Sequence, residues 1–484
     1  MTAGTVARIT GDAVDSGLSS LTLIHKQRGR CNMPISGSEI VKMLPGRKPC
    51  KDCGFPTCFA FAMKLATGGA ALDKCPYLSP EVRAKLEDLL APAIKLVTIG
   101  TGDNKVQVGN EEVIYRHEKT YVHPPGIAIL ISDKDSDAKV DEKIKKLKEL
   151  QFPWVGLTLK AELLALRFES GDKNKFLALV KKASASNLPM ILISQDLDTL
   201  FAARDLCIDK QPLLYPITKE NIDQAIPKIK EKPTPIGVRG ESIEELIPLT
   251  TKLKQAGVDE AVLDPGSKNL MDAIRDQTFI RRAALKQGFR PLGYPTIAFP
   301  CFMAKNGVKE ILTASVFINK FAALIVLSDF DQFSLLPLLV QRLNIYTDPR
   351  FPMAVEEKYY EIGTPDENAP VLITSNWALT YFIVSSAIEA TKIPSYLCVK
   401  DAEGLGVLTG WAAGKFTGDQ VGAMVKKSGI ESKVKNKKIV IPGRVARIKG
   451  ELEDALPGWE VVIGPREAAG IGAFLPEYVK TLRK

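Results

Sequence analysis

At 484 residues the chain exceeds one ordinary core, and its length predicts about two to four domains. Apolar residues make up 45% and charged residues 25%, as in a globular protein, and no stretch reaches the roughly 20 unbroken apolar residues that span a bilayer. The net charge of +9 is mild, and the densest basic stretch, Lys426–Lys449, has no interleaved aromatic residue, which argues against a nucleic-acid surface and for a solvated face or a dock for an acidic partner.

Residues 1–32 open with MTAGTVARITGDAVDSG, which lacks the apolar core of a signal peptide, so a cytoplasmic location is the default. They contain no aromatic residue and end near the basic run HKQRGR. They read as a loosely ordered extension or as the product of an over-long start. From Met33 the pattern changes. Ser36 and Glu39 have capping-box spacing, with Ile40, Met43 and Leu44 following on one helical face.

This segment, residues 33–92, holds most of the cysteines. Of eight in the chain, five lie between Cys31 and Cys75, while Cys207, Cys301 and Cys398 stand alone and read as small buried hydrophobes. A chain this long without a signal peptide is not expected to carry a disulfide framework, which leaves metal binding. The spacing is Cys50-x2-Cys53-x4-Cys58-x16-Cys75. Three close thiolates and one distant fourth supply one ligand per iron of a 4Fe–4S cubane. Gly54 and Pro56 permit tight curvature in PCKDCGFPTC. Cys58 then starts the helix CFAFAMKLATGG, whose first amides favour an anionic group. A four-cysteine zinc site is the alternative, although zinc modules usually pair two Cys-x-x-Cys knuckles and only one exists here. Cys31 falls outside the patterned module and is left unliganded. A last helix starts with Ser79 as N-cap and Pro80 in its first turn, and ends before Pro92.

Residues 93–345 alternate short apolar runs with longer amphipathic segments. The runs are Ile127–Ile131, Trp154–Leu157, Met190–Ser194, Leu213–Tyr215, Pro235–Val238, Ala261–Leu263, Thr296–Ala298 and Ala323–Leu327. That alternation predicts parallel strands with crossover helices, closed as a TIM (β/α)8 barrel, with an open doubly wound sheet as the alternative. Asp264-Pro265-Gly266 reads as a turn rather than a catalytic group.

Residues 346–484 read as a smaller α/β domain. Its strands are Val371–Thr374, Tyr396–Val399, Ile439–Ile441 and Val461–Ile463, and its helices fall near 378–390, 417–428 and 467–481. Glycine-rich turns follow these strands, where open α/β sheets bind ligands.

The segment MPISGSEIVKMLPGRKPCKDCGFPTCFAFAMKLATGGAALDKCPY resembles the start of the corrinoid iron–sulfur protein large subunit, in the family that includes the gamma subunit of the acetyl-CoA decarbonylase/synthase complex. Further similar stretches, in the same order, are KQPLLY (Lys210–Tyr215), VLDPG (Val262–Gly266), LGYPTIA (Leu292–Ala298), NIYTDP (Asn344–Pro349), TKIPSYL (Thr391–Leu397) and GWEVVIGPREAAGI (Gly458–Ile471). The resemblance runs from Met33 to the C-terminus. It implies a 4Fe–4S module on Cys50, Cys53, Cys58 and Cys75, a TIM barrel, and a C-terminal Rossmann-like corrinoid-binding domain. It also implies a methyl carrier of the reductive acetyl-CoA pathway, in which the cluster restores Co(I) of the corrinoid from Co(II).

The partners implied are a small subunit in a heterodimer, a methyl-pterin methyltransferase, and acetyl-CoA synthase with CO dehydrogenase; neither nucleic acid nor membrane is among them. The corrinoid is expected base-off and without a protein histidine, because His25, His117 and His123 all lie before the C-terminal domain and outside any Asp-x-His-x-x-Gly motif. Loops matching the family's cofactor segments give the expected contacts: Thr374, Asn376, Leu379 and Thr380; Gly404, Leu405, Gly406 and Val407; Gly443 and Arg444; Gly464 and Pro465. Two other functions compete: a pterin-dependent methyltransferase acting through its own barrel, and a plain iron–sulfur electron carrier.

Overall fold

A computed structural model describes residues 36–45, 50–67, 69–154, 157–304 and 306–482. The extension at residues 1–32, and Cys31 with it, lies outside the described residues. The chain divides into two compact units. One runs through Gln151 and resumes over Lys160–Tyr346; the other combines Phe152–Leu159 with the chain from Thr347 onward.

The first unit begins with the cysteine segment. Helix α1 (Gly37–Met43) carries the expected capping box between Ser36 and Glu39. Helix α2 (Cys58–Ala66) is capped by the Thr57 hydroxyl, and α3 (Pro80–Leu90) by Ser79 with proline in its first turn. Their shared core is Ile40, Leu44, Phe61, Ala62, Leu65 and Leu86. Gly37 allows α1 to cross α2 closely, since a Cβ there would stand 2.4 Å from Met63 Sδ.

Eight parallel strands then close a barrel. They are β1 (Gly126–Ser132), β2 (Leu163–Arg167), β3 (Met190–Ile193), β4 (Leu213–Ile217), β5 (Ile236–Arg239), β6 (Ala261–Asp264), β7 (Thr296–Ala298) and β8 (Ala322–Leu327). An antiparallel hairpin, Val97–Ile99 with Val106–Val108, packs its valines and Ile99 into the barrel core. Val106 lies against Gly126 at the start of β1, so this hairpin covers the amino end.

One expected barrel strand is corrected. Trp154 and Leu157 belong to the two strands of a separate sheet, Gln151–Trp154 with Leu157–Lys160, and the barrel strand is Leu163–Arg167 instead. Trp154 and Leu157 are 40% and 44% exposed, whereas Leu163 through Leu166 are fully buried. Pro153 cannot donate to a central ladder, which confines its segment to an edge.

Two buried arginines brace this unit. Arg342 donates to the Pro125 and Lys160 carbonyls and to Glu162. Arg281 donates to Glu111 at 2.9 Å and lies over the rings of Tyr121 and Phe321.

The second unit is built on a mixed five-stranded sheet: β9 (Tyr359–Ile362), β10 (Val371–Ser375), β11 (Ser395–Lys400), β12 (Lys438–Ile441) and β13 (Glu460–Ile463). The order is β9-β11-β10-β12-β13, with β9 antiparallel at the edge and the others parallel. On one face, α4 (Ala378–Ala390) and α8 (Ile471–Leu482) bury Ile388, Ile471, Leu475 and Tyr478. The other face carries α6 (Gly418–Ser428) and α7 (Lys449–Ala455), and a shorter helix, α5 (Val407–Ala412), follows β11. The chain leaves β10 toward β11 and then crosses back to β12 on its other side. The carboxyl ends of β10 and β12 therefore flank a topological switch point, the place where such sheets form ligand crevices.

Candidate cofactor cleft and cysteine module

A cleft of about 390 Å³ opens at that switch point. Thr374, Val440 and Ile441 come from the strand ends, and Trp377, Thr380, Ile383 and Val384 from the start of α4. Gly406 to Thr409 form a third side, and Pro442, Arg444 and Gly464 to Ala468 a fourth. The lining is mainly apolar and includes the exposed side chains of Ile383 and Leu408, whereas Leu379, expected as a contact, is exposed but not among the lining residues.

The polar exception is informative. Thr374 is 1% exposed, and its hydroxyl has no hydrogen-bond partner among the described residues. An orphaned buried hydroxyl costs about 1–3 kcal/mol, so valine would be the more stable choice unless a ligand completes the bond. The cleft thus fits an apolar portion of a cofactor that carries amide or hydroxyl groups at its edge.

Of the contacts expected from sequence, Thr374, Thr380, Gly406, Val407, Arg444, Gly464 and Pro465 line the cleft. Asn376, Gly404, Leu405 and Gly443 stand behind it. Asn376 is buried and acts as a buckle. Its amide donates to Asp401 at 2.8 Å, and its oxygen accepts the N–H groups of Ala402 and Gly404. The loop it holds leads into Gly406, where a Cβ would stand 3.1 Å from the Trp377 ring. Gly443 lets two strand-end loops meet, because a Cβ there would stand 2.5 Å from the Gly464 carbonyl oxygen. Arg444 is ion-paired with Glu467.

Ile383, Val384 and Leu408 are lining residues that the motif reading passed over. For Ile383 and Val384 a signal was present: ALTYFIVSSAIEA carries no charged residue until Glu389 and more apolar residues than a helix packed on one side requires.

At the other end of the chain, Cys53, Cys58 and Cys75 pack against the core of the cysteine segment, and Cys50 is exposed. Burial pushes the Cys58 thiol up, and the sulfurs of Cys50, Cys53 and Cys75 add to that shift, so all four act on one neighbourhood. They are not closed around a centre: among the described residues no three His, Cys, Asp or Glu side chains are set to hold a metal ion. Tyr77 donates to Asp52 at 2.6 Å, tying the Cys50–Cys53 loop to the Cys75 loop. The donor set, four soft thiols with α2 starting at Cys58, suits an iron–sulfur cluster.

Fold and sites together define a class: a barrel protein with an iron–sulfur-type cysteine segment before the barrel and a cofactor-sized cleft after it. The comparisons with known proteins narrow this. A family model described as CO dehydrogenase/acetyl-CoA synthase delta subunit matches residues 96–475, and one described as a putative Fe–S cluster matches residues 44–77. The corrinoid/iron–sulfur protein large subunit of Moorella thermoacetica is 44% identical over 91% of this chain and 98% of its own. The acetyl-CoA decarbonylase/synthase complex subunit gamma of Methanopyrus kandleri is 36% identical over 91% and 97%, and that of Methanothermobacter thermautotrophicus 34% over 92% and 99%. The chain belongs to the CO dehydrogenase/acetyl-CoA synthase delta-subunit family, alongside corrinoid/iron–sulfur large subunits.

Proposed function

We propose that this chain is the large subunit of a corrinoid/iron–sulfur protein, the methyl-transfer component of the acetyl-CoA pathway. The observation that carries the reading is the orphaned Thr374 hydroxyl in an apolar switch-point cleft, on the same chain as a cysteine quartet. The proposed division is a cluster module over 33–92, a barrel over 93–345 and a Rossmann-like corrinoid domain over 346–484. Cys50, Cys53, Cys58 and Cys75 are the proposed cluster ligands. When bound, the corrinoid supplies a cobalt that takes up and releases a methyl group, and the cluster supplies the electron that restores its reduced state.

The chain's own residues do the holding. Thr374 and Thr380 hydrogen-bond polar groups at the cofactor's edge. Trp377, Ile383, Val384 and Leu408 cover its apolar face and exclude water. Asn376 holds the Asp401–Gly404 loop so that Gly406 and Val407 line the cleft, and Gly443 and Gly464 bring the opposite loops together. None of His25, His117 and His123 falls within residues 346–484, and the corrinoid is read as base-off and without a protein imidazole on that ground. The proposed partners are a small subunit, a methyl-pterin methyltransferase, and acetyl-CoA synthase with CO dehydrogenase, in the cytoplasm. Among the described residues no helix is long and apolar enough to cross a membrane.

Thr374→Val tests the cleft. With its small subunit present, the anaerobically purified protein should contain iron and cobalt and show corrinoid bands. The variant should keep iron, lose at least about tenfold in corrinoid affinity, and match or exceed the parent in stability without cofactor. Iron without cobalt in the parent would refute the carrier reading, and unchanged corrinoid affinity in the variant would refute the role of Thr374.

A further inference from the structure

The carboxyl end of the barrel holds side chains that the methyl-carrier reading leaves unused. Tyr215 on β4 donates its phenolic O–H to Asp264 on β6, whose other oxygen accepts the Gly266 N–H at 2.9 Å. Arg239 on β5 reaches within 4.0 Å of the same carboxylate. Its Nε is buried without a hydrogen-bond partner among the described residues. Glycines make room for this arrangement: a Cβ at Gly237 would stand 2.6 Å from the Tyr215 ring, and one at Gly266 2.3 Å from the Gly240 carbonyl oxygen. Asp264-Pro265-Gly266 is therefore a turn, as its sequence indicates, and also one wall of a site.

Beside these groups lies a cavity of about 270 Å³, lined in part by Phe299, Phe302 and Lys268. Tyr215, Phe299 and Phe302 form a ladder of rings with centroids 4.9 and 5.4 Å apart. The Arg167 guanidinium covers Phe302 at 4.6 Å. Barrel interiors are normally filled with branched apolar side chains, so a buried tyrosine and a largely buried aspartate facing a part-exposed arginine beside open space mark a site rather than packing.

The surroundings indicate what binds. Phosphate-binding barrels cradle the anion at the loops after the seventh and eighth strands. Here that region holds Glu310, which is buried and accepts both the N–H and the O–H of Ser328. A carboxylate in that place repels a phosphate. The cations facing the cavity are Arg239 and Lys268, after the fifth and sixth strands, and a guanidinium fork pairs with a carboxylate through two parallel bonds. Asp264 and Glu241 approach the Arg239 guanidinium only to 4.0 and 3.8 Å, beyond hydrogen-bond distance, so neither closes a bidentate pair with it. The aromatic ladder suits a flat ring.

We propose that the barrel mouth binds a small planar aromatic carboxylate, with its carboxylate on Arg239 and Lys268 and its ring against Phe299 and Phe302. The proposal is independent of the corrinoid reading, because every residue in it belongs to the barrel unit.

Benzoate titrated calorimetrically into the purified full chain is the probe. Saturable binding is expected at or below about 1 mM, weakened at least about tenfold by Arg239→Gln. Lys268→Met should weaken it in the same direction and, at an exposed side chain, leaves the fold intact should the arginine variant misfold. Cyclohexanecarboxylate, equally charged but not flat, should bind several-fold less tightly, and phenyl phosphate more weakly still. Thr374→Val should leave benzoate binding unchanged. Absence of saturable benzoate binding up to about 10 mM would overturn the proposal, as would an affinity unchanged from the parent in both cation variants or a preference for phenyl phosphate.

Discussion

Asn376→Asp tests whether one buried amide holds the loop behind the cofactor cleft. The substitution keeps the shape and the acceptor that receives the Ala402 and Gly404 amides, but replaces the N–H donor with a carboxylate oxygen facing Asp401. At the 2.8 Å observed, two unit charges repel by about 6 kcal/mol at an effective dielectric of about 20, and by about 1.5 kcal/mol in water. Asp401 is exposed, so the lower half of that range applies. With the lost hydrogen bond, destabilisation at neutral pH should be about 2–4 kcal/mol.

Acid should reverse it. A proton shared between the two carboxylates restores a donor, so the folded state holds a proton that the unfolded state releases. Relative to the parent, stability then rises as pH falls from about 7.5 toward about 5. Asn376→Ala leaves the same groups unpartnered and should be comparably destabilised at both pH values. All four tryptophans, Trp154, Trp377, Trp411 and Trp459, belong to the second unit, so their fluorescence in urea reads its unfolding alone. Aspartate and parent unfolding at the same urea concentration near neutral pH would refute the buckle, and the absence of recovery in acid would refute the charge argument.

Two further predictions concern stability. Arg281→Met leaves Glu111 as a buried, unpaired carboxylate and should cost the barrel unit about 3–5 kcal/mol in calorimetric unfolding, part of it recovered when Glu111→Gln is added; a loss below about 1 kcal/mol would contradict the bracing role. Glu357 accepts from Lys400 and from the Asp401 N–H, each at 2.8 Å. Burial alone raises its carboxyl, but these donors and Lys427 outweigh it and hold it below its usual range. Its stabilisation is present above the unfolded value of about 4.3 and lost as pH falls through the folded one. Glu357→Gln should therefore be less stable at neutral pH by about 1–3 kcal/mol and show a flatter acid profile by tryptophan fluorescence.

Much of this architecture was legible because each element kept to one period. The apolar run Met190–Ile193 allows no amphipathic reading, and Ser79-Pro80 and Ser36-x-x-Glu39 mark helix starts by chemistry alone. The second barrel strand was hidden because Leu163–Arg167 follows Ala161-Glu162 in a run of good helix formers, while Trp154–Leu157 carries stronger strand residues. Only barrel closure decides between them. Tyr359–Ile362 was missed for another reason: as an edge strand it is half exposed and lacks a long apolar run. In the cleft, strand-end residues such as Thr374 and Gly464 could be chosen from their loops. Asn376, by contrast, looked like a contact because its backbone neighbours at Ala402 and Gly404 are distant in sequence.

The hairpin over the amino end of the barrel divides the barrel's two ends by their freedom to vary. Below, Val97, Ile99, Val106 and Val108 stopper the core, and each substitution must answer to packing. Above, the side chains of Tyr215, Arg239 and Asp264 border open space. A saturation library scored only for folded protein should therefore be intolerant at the stoppered end and permissive at the other. Natural variation in this barrel is expected to follow the same polarity, with one end conserved for shape and the other available for new chemistry.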